Sequence, residues 1–113
     1  MEDCIFCKII NKEINSKILY EDEEIIAFND INPIAPIHIL VLPKKHISKL
    51  TDLKKEDEAV IGKIMSVINK LAKENNIAET GFRVVANCGV DGGQAVGHIH
   101  FHLLGGRKLE NKM

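Results

Sequence analysis

Residues 98–104 read HIHFHLL, and polar and apolar side chains alternate along the whole stretch. A period of two residues is that of a β-strand, on which successive side chains point to opposite faces. We therefore predict a strand here, with Ile99, Phe101 and Leu103 packed on a core. The same period places three of the chain's five histidines on the opposite face, which this pattern leaves free for chemistry.

The segments on either side of this strand predict an α+β domain. Compact apolar runs predict four more strands, at KILYE (17–21), EIIAFND (24–30), IHILVLP (37–43) and FRVVAN (82–87). Apolar residues at three- and four-residue spacing predict one long helix over residues 55–75, with core positions at Val60, Ile61, Ile64, Met65, Ile68, Leu71 and Ala72. A short N-terminal helix is predicted over residues 5–13. Because turns join neighbouring strands, the sheet of about five strands should be mainly antiparallel.

The composition is that of a folded protein with a single domain, which we expect to span residues 1–113. Hydrophobic residues make up 45% of the chain and charged residues 27%, as in globular proteins. A formal net charge of −1 gives no basic field, so a nucleic-acid polymer is not an expected partner. The N-terminal stretch lacks the pattern of a secretory signal, and no apolar run approaches the ~18 residues of a membrane helix. We therefore expect a cytoplasmic protein.

Three histidines on one face could share a metal ion, divide separate tasks among themselves, or do nothing. A strand rises ~3.3 Å per residue, so His98 and His102 should lie ~13 Å apart, which is awkward for one ion with bonds near ~2 Å. Idle imidazoles on a half-wet sheet face are the plain alternative, but the preceding loop, CGVDGGQAVG (88–97), is rich in glycine. Because imidazole titrates near neutral pH and is nucleophilic, we favour a division of tasks among the three histidines.

HIHFHLL also matches the histidine-triad signature, His-φ-His-φ-His-φ-φ, where φ is apolar. Two longer segments, FNDINPIAPIHILVLPKKHIS (28–48) and NCGVDGGQAVGHIHFHLLGGR (87–107), resemble the two halves of the nucleotide site in the Hint branch of the histidine-triad superfamily. The likeness extends from Cys4 to Arg107. It implies a hydrolase that cleaves the P–N bond of nucleoside 5′-phosphoramidates, such as AMP joined to an amine, through a covalent nucleotidyl-histidine. It also implies that the protein binds purine nucleotides and forms a homodimer in which the two sheets abut.

The same resemblance implies roles for individual residues. His100 would attack the α-phosphorus, His102 would hold phosphate oxygens or help to protonate the leaving amine, and His38 would support them from a neighbouring strand. The other implied residues would contact the nucleotide. Asp30 would accept hydrogen bonds from the ribose, Asn87 and the backbone N–H groups around Gly93, Gln94 and Ala95 would contact the phosphate, and the base would lie among Phe28, Ile31 and Leu40. From the residues alone, those last three are more typical of a core.

Two departures from the family pattern limit what the resemblance implies. Ala95 replaces a serine that contacts the leaving-group side in several relatives, so that contact is absent here. The sequence ends at GGRKLENKM (105–113), without the tryptophan-containing tail of some relatives. Specificity that depends on that tail is therefore not carried over to this chain.

The cysteine pair in CIFC (4–7) allows zinc binding, redox chemistry or simple burial. Three cysteines are an odd number, and a reducing compartment makes a disulfide framework unfavourable. The resemblance implies a structural Cys₂His₂ zinc site in which Cys4 and Cys7 are joined by His46 and His98. The chemistry itself would require no metal. Cys88 lies outside this set and is expected to be a buried loop residue.

Three other functions remain open at this point. A nucleotide-binding adaptor would keep the site with little catalysis, although the presence of His38, Asn87, His100 and His102 favours an enzyme. A dinucleoside polyphosphate hydrolase is the nearest enzymatic alternative, but GGQAVGHIHFH (92–102) resembles the Hint branch more closely. A hydrolase with one metal ion on all three triad histidines is geometrically strained.

Overall fold

Five antiparallel strands form one sheet in this computed structural model, which describes residues 3–111. The strands are β1 (Ile18–Glu21), β2 (Ile25–Asn29), β3 (Ile37–Pro43), β4 (Arg83–Val85) and β5 (Phe101–Gly105). Their order across the sheet is β1-β2-β3-β5-β4. The predicted α+β class is confirmed, and every strand pair is antiparallel. Residues 1–2 and 112–113 of the predicted domain lie outside the described residues.

Both helices are shorter than predicted: the short helix at its C-terminal end and the long helix mainly at its N-terminal end. The short helix α1 covers Ile5–Ile10 rather than residues 5–13, because Lys12 adopts a left-handed conformation with φ 63° that an α-helix cannot continue. The long helix α2 covers Glu58–Glu74, after a separate 3₁₀ turn at Lys55–Asp57. Within residues 3–111, no helix has both the length and the apolar character needed to cross a membrane.

The alternation of side chains along the strands separates two hydrophobic cores. Helix α2 packs on one side of the sheet, the α2 face, whose buried strand residues are Ile25, Ala27, Ile39, Val41, Phe101 and Leu103. Helix α1 packs on the other side, the α1 face, through a cluster made of Cys4, Phe6, Ile9, Ile26, Phe28, Leu40 and Leu42. His98, His100 and His102 alternate with Ile99, Phe101 and Leu103 of the α2 face, so they point toward the α1 face. Along α2, Met65 is exposed and Val67 is buried, which reverses the prediction for Met65.

The last strand begins at Phe101, not at His98 as predicted. β3 and β5 stay paired from Ile37/Gly105 to Val41/Phe101, and β3 then ends at Pro43, which has no N–H to extend a ladder. The chain before β5 bonds elsewhere: the Ile99 N–H donates to the Ile47 carbonyl at 2.7 Å. The alternation nevertheless persists, because Ile99 is buried in the α2-face core.

Candidate functional site

His100 is held with one ring nitrogen engaged and the other available. Its Nδ1 lies 2.7 Å from the carbonyl oxygen of His98, so the hydrogen-bond network assigns the proton to Nδ1 and a lone pair to Nε2. No described residue hydrogen bonds to Nε2, and no buried side-chain nitrogen or oxygen of residues 3–111 lacks a partner. Nε2 therefore reaches solvent although the residue as a whole is only 6% exposed. The histidine face was predicted to be open. Nε2 of His100 is accessible, but the side chains of His98 and His100 are buried.

His38 and His102 form a chain of hydrogen bonds beside it. The Ile34 N–H donates to His38 Nδ1 at 3.2 Å, which places the His38 proton on Nε2. His38 Nε2 lies 2.9 Å from His102 Nδ1 and 3.4 Å from Asp30 Oδ2, so it donates mainly to His102. His102 then carries its own proton on Nε2. The ring centroid of His102 is 5.0 Å from that of His100, so the two rings are neighbours in the site.

Burial keeps this pair of imidazoles neutral. Burial, together with the neighbouring rings of His100 and His38, lowers the pKa of His102 to about 4, and Asp30 acts in the opposite direction. Burial also lowers the pKa of His38, again with Asp30 acting in the opposite direction. At neutral pH both rings therefore retain one lone pair and one N–H, as the hydrogen-bond chain requires.

The glycine-rich loop over residues 88–97 is tied together by Gln94. Its Oε1 accepts from the Gly89 N–H at 2.9 Å, and its Nε2 donates to the carbonyls of Ser48 at 2.6 Å and Val96 at 2.9 Å. Gly93 has φ +77°, a conformation that favours glycine. The side chain of Gln94 therefore fixes the loop rather than facing a ligand.

Two of the three predicted phosphate donors in this loop form hydrogen bonds within it. The Gly93 N–H donates to the Val90 carbonyl at 3.0 Å, and the Gln94 N–H donates to the Gly89 carbonyl at 3.1 Å. Both donors are thus used inside the loop, because a tight turn satisfies its own backbone groups. The Ala95 N–H has no partner among residues 3–111, so it is the one of the three that remains available.

The predicted ribose and base residues lie in contrasting environments. Asp30 follows β2, and its Oδ1 accepts from the Asn32 N–H at 2.8 Å, which leaves Oδ2 toward His38. Phe28 and Leu40 are buried in the α1-face core, whereas Ile31 is 86% exposed. Asn87 is half-buried just after β4.

Phe6 is a site residue that the sequence reasoning missed. Its ring lies edge-on to His100 with 5.0 Å between centroids, and it also contacts His98 at 6.0 Å and Phe28 at 5.6 Å. The available signal was its position between Cys4 and Cys7. Once both cysteines are placed beside a triad histidine, the residue between them has to lie close to the triad as well.

Cys4, Cys7, His46 and His98 converge in one cluster. His98 Nδ1 lies 3.4 Å from Cys4 Sγ, 3.6 Å from Cys7 Sγ and 3.2 Å from His46 Nδ1, and Cys7 Sγ lies 3.2 Å from His46 Nδ1. A tetrahedron with Zn–S bonds of ~2.3 Å and Zn–N bonds of ~2.05 Å has S–N edges of ~3.5 Å and an N–N edge of ~3.3 Å. The four side chains therefore fit the donor type and spacing of a Cys₂His₂ metal centre.

The surroundings of this cluster also suit a cation. His98 Nε2 donates to the Pro43 carbonyl at 2.8 Å, which leaves Nδ1 as the ligating nitrogen. Burial, together with the adjacent Cys4, raises the pKa of the Cys7 thiol to about 11. A thiolate at this position needs a positive charge beside it, which a metal ion provides. Cys88 lies outside the cluster, as predicted, but it is half-buried rather than buried, and hydrogen bonds from Thr51 lower its pKa.

We expect stability to fall as the pH decreases from about 6.5 toward about 4, because the pKa of His102 is lowered to about 4 in the folded state. In that window the unfolded chain binds a proton that the folded protein excludes, so the free energy of unfolding rises with pH. Urea midpoints measured between pH 7 and pH 4.5 should show this slope. His102→Gln, which retains an acceptor for His38, should have a shallower slope. Equal slopes in both proteins would contradict the assignment.

Comparison with known proteins places this geometry in a known class. The family model described as "Scavenger mRNA decapping enzyme C-term binding" matches residues 3–113. A purine nucleoside phosphoramidase of Escherichia coli K12 is 47% identical over 108 residues, which cover 96% of this chain and 91% of that protein. The chain belongs to the histidine-triad superfamily.

Solved structures give the same class. A histidine triad protein from Clostridium difficile is 54% identical, with a TM-score of 0.96 over 100% of this chain and 98% of that one. A HIT family hydrolase from Legionella pneumophila is 44% identical, with a TM-score of 0.94 over 96% of this chain and 97% of that one. The family predicted from the two nucleotide-site segments is thus confirmed.

Proposed function

We propose that this protein is a purine nucleoside phosphoramidase, a hydrolase that converts an adenosine 5′-phosphoramidate and water into AMP and an amine. The observation that carries the proposal is the fixed His100 ring, whose Nδ1–H is bound by the His98 carbonyl while Nε2 remains available. The E. coli relative with that activity in its name supports the reaction class. The similarity extends over nearly the whole of both chains.

The reaction proceeds in two displacements at phosphorus. First, His100 Nε2 forms a bond to the α-phosphorus as the P–N bond to the amine breaks, and the departing nitrogen takes a proton from His102 Nε2 or from water. The His98 carbonyl stabilises the positive charge that develops on the His100 ring, since it accepts from Nδ1–H. Water then attacks the phosphorus as the His100–phosphorus bond breaks, and AMP leaves. The proton that this water loses passes to His102 Nε2 or to solvent and replaces the one that the amine took. The ring returns to its neutral state.

The substrate is held by groups on other elements. Asp30 accepts from the ribose hydroxyls, and Asn87 and the Ala95 N–H bind phosphate oxygens, which directs the phosphorus toward His100. Of the three residues predicted to line the base pocket, Ile31 has the exposed side chain and offers the contact area for a purine. Phe28 and Leu40 support that site from the α1-face core.

We propose that the metal centre binds zinc through Cys4, Cys7, His46 and His98. These four side chains would fill the coordination positions that zinc takes in structural sites, so the ion would supply structural cross-linking and not the Lewis acidity of an open site. All three cysteines are free thiols in the described structure, and thiol ligands persist in a reducing compartment. We propose a cytoplasmic location, in which a reducing environment would keep these ligands available to the metal.

The function is tested by AMP release from an AMP–lysine phosphoramidate by the purified native protein, followed by chromatography. Turnover of this substrate in preference to a dinucleoside tetraphosphate supports the phosphoramidase. Binding of AMP without turnover of either compound would support the adaptor alternative instead. Turnover of the dinucleotide alone would move the protein to the other enzymatic branch.

Asp30→Asn should lower kcat/KM for the adenosine phosphoramidate by about 10- to 100-fold, the effect of losing a charged hydrogen-bond acceptor. The measurement compares the adenosine substrate with its 2′-deoxy form in both proteins. The native enzyme should discriminate between the two substrates, and Asp30→Asn should discriminate much less. If the variant loses the same factor on both substrates, Asp30 does not contact the ribose.

The homodimer is proposed to form along β4. This strand pairs with β5 on one side only, and Val84 at its centre is 39% exposed. The opposite edge, β1, carries Glu21 bound to two lysines, and charges of this kind discourage strand pairing. An open edge next to the site is the surface on which a second sheet could continue.

Val84→Lys should raise the dimer dissociation constant by roughly 100-fold, because a twofold axis brings two such lysines close to each other. Sedimentation equilibrium measures the change. Val90→Lys is the matched control, since Val90 is 95% exposed on the 88–97 loop and is not part of β4, and its variant should remain dimeric. A native protein that sediments as a monomer would refute the proposal.

A further inference from the structure

His98 links the metal centre to the nucleophile through its own backbone. Its side chain is completely buried, with Nδ1 in the Cys₂His₂ cluster and Nε2 bound to the Pro43 carbonyl. Its carbonyl oxygen accepts the hydrogen bond that orients His100. Two sets of contacts therefore fix the acceptor for His100 Nδ1: those of the His98 side chain, and the bond from the Ile99 N–H, in the same peptide group as the His98 carbonyl, to the Ile47 carbonyl at 2.7 Å.

Phe6 provides a second link. It lies in α1 between Cys4, the N-cap whose Sγ accepts from the Cys7 N–H at 3.2 Å, and Cys7 itself. The buried Phe6 ring meets His100 edge-on with an interplanar angle of 85°. A helix of six residues is not stable by itself, so its position depends on what anchors its ends. The two thiols of the cluster are such anchors.

We propose that a metal ion bound by Cys4, Cys7, His46 and His98 orients the His100 ring for attack, so that the centre acts on catalysis as well as on stability. The inference rests on the proposed function, because it concerns the nucleophile of that reaction. It assigns Phe6 and His98 as positioning residues. Removal of the metal should slow phosphoryl transfer to His100 more than it weakens nucleotide binding, since Asp30, Asn87 and the Ala95 N–H belong to other segments.

The test begins with a readout that needs no turnover. Native protein with ¹⁵N-labelled histidine is examined by NMR with zinc bound and after chelation, and the His100 Nδ1–H signal is assigned by its absence in His100→Gln. With zinc, this proton should be protected from exchange by the His98 carbonyl. Without zinc, the signal should broaden or vanish while the fold, judged from amide signals of β2 and β3, persists. An unchanged signal in metal-free, folded protein would overturn the proposal.

Kinetics on the same samples complete the test. The single-turnover rate should fall at least 10-fold without zinc, and the Kd for AMP should change less than threefold. Cys88→Ser, a thiol outside the cluster, should match the native protein in both measurements. If native protein shows no turnover at all, the proposed function fails, whereas the NMR result still decides whether the metal orients His100.

A second variant covers the case in which metal-free protein unfolds. Phe6→Leu removes the ring against His100 and leaves the four metal ligands in place, so it should retain one zinc per chain. Its His100 Nδ1–H signal should broaden and its single-turnover rate should fall at least 10-fold. Ile9→Val, in the same helix and core but without a ring contact to His100, is the control. Native behaviour of Phe6→Leu together with unfolding of the metal-free protein would reduce the metal centre to a structural role.

Discussion

Replacing His100 with alanine should lower AMP release from the phosphoramidate by about 10⁴-fold or more, the range seen when a covalent nucleophile is removed. Only His100 has a ring nitrogen that is both available and held in the nucleophilic tautomer by a backbone acceptor. The Kd for AMP should change little, since the variant leaves Asp30 and Asn87 intact. Steady-state assays and calorimetric titration give the two numbers.

His102→Ala provides the comparison for that result. As a donor to phosphate or to the leaving group, His102 should contribute about 10²- to 10³-fold, less than the nucleophile. Acid-quenched native enzyme should also carry a nucleotidyl group that is absent from His100→Ala. If His100→Ala turned over normally while His102→Ala was inactive, the assignment of nucleophile and donor would have to be exchanged.

Removal of zinc should lower the melting temperature by about 15 °C. A ligand present at about 1,000 times its Kd stabilises the folded state by about 4 kcal/mol, and in a domain of this size each kcal/mol corresponds to roughly 4 °C. The loss is expected because the cluster joins α1 to His46 and to the residues before β5. Calorimetry with and without a chelator, together with elemental analysis, measures it.

The control for the metal prediction lies within the chain. The double variant Cys4→Ser, Cys7→Ser should melt at the lower temperature and should respond neither to chelator nor to zinc. Cys88→Ser should melt like the native protein and respond to both. Protein purified without added metal that holds well under one zinc per chain, and cannot be reloaded, would contradict the site.

Those features that depend on local periodicity could be predicted from the sequence. The alternation in HIHFHLL correctly separated Ile99, Phe101 and Leu103 from the histidines, because the period of two fixes the face whatever the strand pairs with. The start of β5 could not be predicted in this way. It depends on the partner strand, which ends at Pro43, nearly 60 residues earlier in the chain.

The candidate site also contains some features that the sequence predicts and others that depend on tertiary structure. Sequence motifs located the histidines and the cysteines, and the structure shows that the predicted metal ligands do converge. The bonds that the Gly93 and Gln94 N–H groups make inside the loop could not be predicted, because their direction depends on how the loop closes on itself. Phe6 was missed because an aromatic residue beside a cysteine is compatible with any core, and only its distance to His100 reveals the contact.

The alternation of side chains between two faces along residues 98–104 limits how this segment can change in evolution. Ile99, Phe101 and Leu103 enter one core while the histidines between them face the other side. Inserting or deleting a single residue here would turn every following side chain over, so that the apolar side chains would face the α1 face and the histidines would enter the α2-face core. Selection for a folded protein alone therefore preserves the histidine spacing, and a lineage that lost the activity would be expected to lose individual histidines long before it lost their period.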